Sequence, residues 1–193
     1  MIRIIDNFFD NKLFLKITNH VTKNLMFTPQ FFEQNEDGTI VTAKDKTKEN
    51  YYGDRFILEN DRELQKTLIK QCEKKFKLKI KKIHNKSGID LRNLDRFLPH
   101  QDIVSKEEEK LNFQNILIYL SGPTAVTNGT VFYTKEEGTL NLDIHVGFRE
   151  NRAVMFPASW YHSPHASNVK NMRRYSASIF VLDYVRGDRD WET

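Results

Sequence analysis

Three short stretches of this sequence carry metal- or anion-binding residue types at spacings that a folded chain can use. LPHQDI places His100 two residues before Asp102. In extended chain, side chains at i and i+2 project to one face, so an imidazole nitrogen and a carboxylate oxygen converge there. About sixty residues later, FPASWYHSPHAS supplies two further histidines, His162 and His165. Two histidines and one carboxylate on one face bind a divalent first-row metal and leave its other positions open to reactants. His162 and His165 do not readily share one ion: Pro164 interrupts any helix, and an offset of three along a strand reverses the side chain's direction. NMRRYSASIFV then sets Arg173 and Arg174 on opposite faces of an incoming strand, with Ser176 on the face of Arg174. A guanidinium fork holds a carboxylate through two parallel charge-assisted bonds, and a serine hydroxyl adds a third donor.

These residues need a scaffold, and the chain supplies one rich in short strands. From about residue 76, the segments FKLKIKKIHN, NILIYLSG, GTVFYTK, LDIHVGF, RAVMFPA and YSASIFVLDY alternate with turn signals such as SGPT, NGT and EEGT. Short strands at such spacing describe an antiparallel sandwich or barrel. The first third reads as a supporting layer. IRIIDNFF is a short strand candidate, and NKLFLKITNHVTKNL is an amphipathic helix capped by Asp10 or Asn11. A second helix spans about Asn60 to Lys75, capped by Asn60 or Asp61, while residues 33–50 read as a charged surface excursion or lid. Helices first and strands afterwards place helices against one side of the sheet.

Composition narrows the function classes. The chain has 193 residues, enough for one domain with a real core, and its 14 Phe and 7 Tyr favour strands built around large side chains. One cysteine, Cys72, excludes an internal disulfide and a cysteine-based zinc site, and fits a reducing compartment. The opening MIRIIDNFFD is apolar only briefly and no run of about 18 apolar residues follows, so we expect a cytoplasmic protein with no membrane partner. A net charge of +4 raises the prospect of nucleic acid, yet much of the positive charge lies in KKFKLKIKK, Lys74 to Lys82, where lysines alternate with apolar residues as on a strand with one solvated face. Nucleic acid is therefore not the favoured partner, and oligomeric state is left open.

Together the motifs resemble the iron(II)- and 2-oxoglutarate-dependent oxygenases, particularly the prolyl-4-hydroxylase-like branch. That pattern is His-X-Asp, a distal His some 50 to 70 residues later, then an Arg or Lys; here His100, Asp102, His162 or His165, and Arg173 or Arg174 occupy those places in order. ILIYLSG is similar to the strand after the first two ligands, with Tyr119 where a tyrosine often reaches the far carboxylate of 2-oxoglutarate. NGTVFYT, RAVMFPASWYH and the Arg-X-Ser element RYS extend the likeness across about residues 95–185. Relatives commonly place the distal ligand six residues after the Phe of a Phe-Pro pair, which selects His162 over His165, and the Arg-X-Ser pattern selects Arg174.

The resemblance implies an α+β, predominantly β fold: a double-stranded β-helix, or jelly roll, of the cupin-like kind. Its core would span about residues 76–185, with the N-terminal helices of about residues 1–75 supporting it in a single domain covering 1–193. It implies Fe(II) on His100, Asp102 and His162, with His165 as the alternative distal ligand. 2-Oxoglutarate would be anchored by Arg174, Tyr119 and Ser176, with O2 as co-reactant, succinate and CO2 as products, and ascorbate as a supporting reductant. Hydroxylation of a prolyl or other residue in a protein or peptide is the first expectation. A small-molecule or nucleobase substrate is the alternative, and a non-catalytic basic β-barrel that binds nucleic acid is the rival from another class. His20, His84 and His145 read as surface or internally satisfied histidines, Trp160 and Tyr161 as packing residues, and Glu107 to Lys110 as a solvated loop.

Overall fold

A computed structural model describes residues 1–34, 40–47, 51–93, 99–102, 113–124, 128–165 and 173–187. The loop Glu107 to Lys110 lies outside them. The chain opens with β1 (Arg3–Ile5) and α1 (Asn11–Asn24). Asp10 caps α1, its carboxylate accepting from the Leu13 N–H at 2.8 Å. Three strands follow, β2 (Thr28–Gln34), β3 (Ile40–Thr42) and β4 (Tyr51–Ile57), and a short 3-10 turn leads into α2 (Arg62–Phe76). Asp61 caps α2 by accepting from Leu64 N–H at 3.0 Å, and its other oxygen meets His20 at 2.7 Å, which ties the start of α2 to α1. The second half is all strand: β5 (Leu78–Ile83), β6 (Gly88–Asn93), β7 (Gln114–Ser121), β8 (Gly129–Glu136), β9 (Thr139–Gly147), β10 (Arg152–Pro157), β11 (Tyr161–Pro164) and β12 (Arg173–Arg186).

Two antiparallel sheets face each other in the expected jelly-roll manner. The large sheet runs β1-β10-β7-β12-β6-β4-β2-β3, and the small one runs β11-β8-β9. At 14 residues β12 is the longest strand. One of its edges pairs with β7, and the other pairs with β6 over Arg173–Ser178 and then with β5 over Val181–Arg186. Period-two alternation decides what each face of the large sheet meets. Ile116, Ile118 and Leu120 of β7 and Ala177, Ile179 and Val181 of β12 join Leu68, Cys72, Phe76, Ile17 and Val21 of the two helices in one apolar cluster. The intervening residues Leu117 and Tyr119 point the opposite way and pack with Phe132, Val146, Phe148, Val154 and Phe156 between the sheets.

The lysine-rich stretch lies on β5, whose exposed Lys79, Lys81 and Lys82 alternate with the more buried Leu78 and Ile80. Charged side chains on an edge strand deter pairing with another chain. The first third differs from its sequence reading. Residues 33–50 were expected to form a charged surface excursion or lid, but the described part of that span holds the end of β2 and all of β3, and together with β4, for which no strand was anticipated, they extend the large sheet. β6 and β11 were not anticipated either. Among the described residues, no helix is long and apolar enough to cross a membrane.

Candidate metal centre and anion-binding cavity

The short segment carrying His100 and Asp102 is fastened to the chain around β11 by main-chain bonds. His100 and His162 exchange reciprocal N–H···O bonds of 2.9 Å, and the Asp102 N–H donates to Ala158 O at 2.9 Å. This isolated antiparallel bridge sets the His100 and His162 rings side by side, their centroids 4.3 Å apart. Asp102 lies two residues on and shares that face. Its Oδ1 stands 3.7 Å from His100 Nε2, and its Oδ2 stands 3.5 Å from His162 Nε2. One donor atom from each of the three side chains lies within 4.8 Å of the others.

Orientation at this cluster comes from its neighbours. His162 Nδ1 is 2.9 Å from Trp160 O; that carbonyl can only accept, so Nδ1 is the donor and Nε2 is the ring nitrogen turned toward Asp102. Phe156 packs against the His162 ring at 4.8 Å, and the histidine is 6% exposed. The Asn115 side-chain amide donates to Asp102 Oδ2 at 2.8 Å and holds the carboxylate in place. Ligand atoms at bonds of about 2.0–2.2 Å and right angles sit roughly 3 Å apart, so this donor set fits a first-row divalent ion after small side-chain rotations. His165 is not part of the cluster. Its ring lies 4.8 Å from that of His145, and its N–H donates to Gly129 O at 3.1 Å. Burial, together with the neighbouring His165, holds the His145 pKa below its usual value.

A cavity opens from the cluster across the inner face of the large sheet. Asn115 and Leu117 of β7, Arg174, Ser176, Ser178 and Phe180 of β12, and Thr130 of β8 line it. The first two groups are runs of alternate residues, as one strand face requires. Arg174 is 2% exposed, whereas Arg173 faces solvent. One Arg174 amino group donates to Gly129 O at 2.6 Å and to Asn128 Oδ1 at 3.1 Å, and its Nε is buried with no partner. Burial pushes its pKa down to about 10, opposed by Tyr119 and reinforced by Arg92, so it stays charged at neutral pH. Among the described residues no carboxylate pairs with it. Tyr119 is fully buried beside it, the ring 6.0 Å from the guanidinium carbon, with the hydroxyl donating to Thr130 Oγ1 at 2.8 Å.

The structure thus brings His100, Asp102 and His162 together, sets Arg174 and Ser176 on the same cavity wall, and keeps Tyr119 one residue back behind Thr130. Asn115, Thr130 and the wall formed by Tyr52, Arg55, Asp90 and Arg92 were missed in the sequence. Asn115 did leave a trace, as a polar residue inside the otherwise apolar NILIYL. Arg55, Asp90 and Arg92 left none, because charged residues in a short strand read as solvent-facing.

No protein-family model matches the chain, and no curated protein matches its sequence. Solved structures do match in shape. SnoN, a non-heme alpha-ketoglutarate-dependent epimerase from nogalamycin biosynthesis, superposes with a TM-score of 0.59 at 10% identity, over 99% of this chain and 82% of that one. A prolyl hydroxylase from Trichoplax adhaerens, solved with a peptide fragment of the hypoxia-inducible factor oxygen degradation domain, gives 0.54 at 14% identity, over 94% and 83%. AviO1 from Streptomyces viridochromogenes gives 0.55 at 10% identity, over 93% and 89%. With two facing sheets, a buried basic residue between them and helices on the outer side, this chain has the fold of the iron- and 2-oxoglutarate-dependent oxygenases, the superfamily its motifs resemble.

Proposed function

We propose that the protein is an iron(II)- and 2-oxoglutarate-dependent dioxygenase that works as one domain and hydroxylates its substrate with release of succinate and CO2. The observation that carries this reading is one cavity holding both a His-Asp-His donor set and a buried arginine with no carboxylate partner among the described residues. His100, Asp102 and His162 would hold the iron, which when bound supplies oxidation by dioxygen coupled to decarboxylation of 2-oxoglutarate. Arg174 would take the far carboxylate of 2-oxoglutarate, with Ser176 and Thr130 adding donors and Tyr119 fixing the Thr130 hydroxyl. Asn115 would keep Asp102 aimed at the ion, and the His162 bond to Trp160 O would hold the ring in its ligating tautomer. Leu117 and Phe180 supply apolar wall that limits water.

For the substrate, a prolyl or other residue of a peptide is one candidate, in keeping with the shape shared with the Trichoplax prolyl hydroxylase. A small molecule is the second, because a SnoN structure of the same fold contains Fe3+, alpha-ketoglutarate and nogalamycin RO. The test is binding before turnover. Isothermal titration should give one equivalent of Fe(II) or Mn(II), and 2-oxoglutarate should bind only when the metal is present. His100→Ala and Asp102→Ala should each abolish the metal uptake, and with it the succinate released in the presence of ascorbate. Metal-independent 2-oxoglutarate binding, or none, would sink the reading. Strongly salt-dependent affinity for nucleic acid in the same sample would favour a basic binding module.

A further inference from the structure

The wall of the cavity beyond Arg174 is more basic than the reaction above requires. Arg174 of β12 and Arg92 of β6 are direct cross-strand partners, and Ser176 is paired with Asp90 in the same register. Like charges directly opposite each other on a strand pair repel, and here both line the same cavity. Arg55 of β4 stands opposite Asp90, so a third guanidinium joins the wall. Asp90, 2% exposed, answers two of the three. Its Oδ1 accepts from Arg55 at 3.1 Å, and its Oδ2 lies 3.5 Å from Arg92 and accepts from Ser178 Oγ at 3.3 Å. The other carboxylate lining the cavity is Asp102, which faces the histidines. Three guanidiniums therefore share a wall with one carboxylate among the described residues.

The arginines are also built in. Gly53 has φ +142°, a left-handed conformation that favours glycine, and a Cβ there would press on Leu91 O at 3.0 Å and reach Arg92 Cγ at 3.5 Å. Gly53 thus lets β4 run close over the β6 backbone at Leu91, and the neighbouring Tyr52 turns its ring onto the Arg92 guanidinium at 3.9 Å. At Gly88 a Cβ would fall 2.6 Å from Arg55 Nε, so glycine is required beside the second arginine as well. Arg55 Nε, Asn115 Oδ1 and Arg174 Nε are buried polar atoms with no hydrogen-bond partner, and all three belong to residues lining this cavity. The two cross-strand arginines are held in opposite directions: Arg174 by Asn128 and Gly129 at the small sheet, Arg92 by Tyr52 on β4.

We propose that Arg92, supported by Arg55 and Tyr52, binds an oxyanion of the substrate, a carboxylate or a phosphate, beside the metal centre. The substrate is then acidic, and Arg174 is left to 2-oxoglutarate; this assignment rests on the function proposed above. Carboxylate and phosphate share the fork geometry that a guanidinium recognises, and the two are separated by experiment.

The full-length protein, loaded with Zn(II) and saturated with 2-oxoglutarate, is titrated with sodium phosphate and with 13C-labelled sodium acetate, each followed by NMR. At least one should bind saturably to a single site, the tighter of the two identifying the chemistry. Arg92→Gln should weaken that binding at least tenfold and change 2-oxoglutarate affinity less than threefold, and Arg174→Gln should show the reverse pattern. If Arg92→Gln does not fold, Arg92→Lys keeps the charge without the fork or the ring stack and should weaken binding at least threefold. Saturable binding of neither anion overturns the proposal. So does unchanged binding in the Arg92 variant, or an equal loss of 2-oxoglutarate affinity in the Arg92 and Arg174 variants, which would make Arg92 part of the cosubstrate anchor. Failure of wild type to take up metal or 2-oxoglutarate would instead sink the dioxygenase reading, and the anion titrations of that same sample still report on Arg92.

Discussion

The two faces of the large sheet are made by the same strands, and where β6 and β12 carry them they have opposite chemistry. Toward the helices, β7 and β12 present Ile116, Ile118, Leu120, Ala177, Ile179 and Val181, all completely buried and apolar. Toward the small sheet, the intervening positions of β12 are Arg174, Ser176 and Ser178, and those of β6 are Asp90 and Arg92. Apolar burial of the first kind stabilises by about 1.5–3 kcal/mol per large side chain. Burial of the second kind costs desolvation that is recovered only through partners. The larger apolar cluster lies on the helix side, and the buried charges lie on the side that burial alone would not favour.

The comparison breaks most readily on the helix side. Phe76, fully buried at the end of α2, should lose about 3–5 kcal/mol when changed to alanine. Urea unfolding measures this, and metal affinity of the folded fraction should be unchanged. A loss below about 1 kcal/mol would show that the helices are not the main support. On the cavity side, Asn115→Ala should lower metal affinity about 10–100-fold through the freed Asp102 carboxylate, with a stability change of under about 2 kcal/mol. Arg174→Met removes a buried charge and fills its place with apolar volume, so stability should hold within about 1 kcal/mol or rise while 2-oxoglutarate binding disappears. Marked unfolding would mean that the bonds to Asn128 and Gly129 are structural.

The smallest effect concerns pH on the helix side. Burial alone would raise the Asp61 pKa, but the Leu64 N–H and His20 together hold it below the usual carboxylate value. A depressed folded-state pKa contributes stability above the unfolded value near 3.8, and that stability is lost as pH falls through the lower folded value. Asp61→Ala should cost about 1 kcal/mol at pH 7, chiefly through the lost cap, and the difference from wild type should shrink below about pH 4. A difference that stays constant down to pH 2 would remove the carboxylate from the explanation.

What could be read in the sequence follows the same division. Where one face of a strand is apolar, as in NILIYLS or RAVMFP, alternation reveals the strand, and the helices announced themselves through Asp10, Asp61 and their apolar stripes. The ordered motif HQD, WYH and RRYS was legible because its chemistry needs particular residue types. The readings of β4 and β6 failed for a physical reason. YYGDRFI and GIDLRN turn Arg55, Asp90 and Arg92 inward, and a charged residue in a short segment signals solvent until its partner across the sheet is known. β11 is four residues long with a proline at its end, too short to show a period. The choice between His162 and His165 rested on a family ruler; the main-chain bridge to His100 and the pairing of His165 with His145 appear only in three dimensions.

That bridge has a kinetic side. Two reciprocal main-chain bonds couple the backbones of His100 and His162 directly. Metal loading should then change side-chain rotamers at these two residues more than their backbone. The amide hydrogens of His100 and His162 should therefore exchange with solvent at rates that differ little between metal-free and metal-loaded protein.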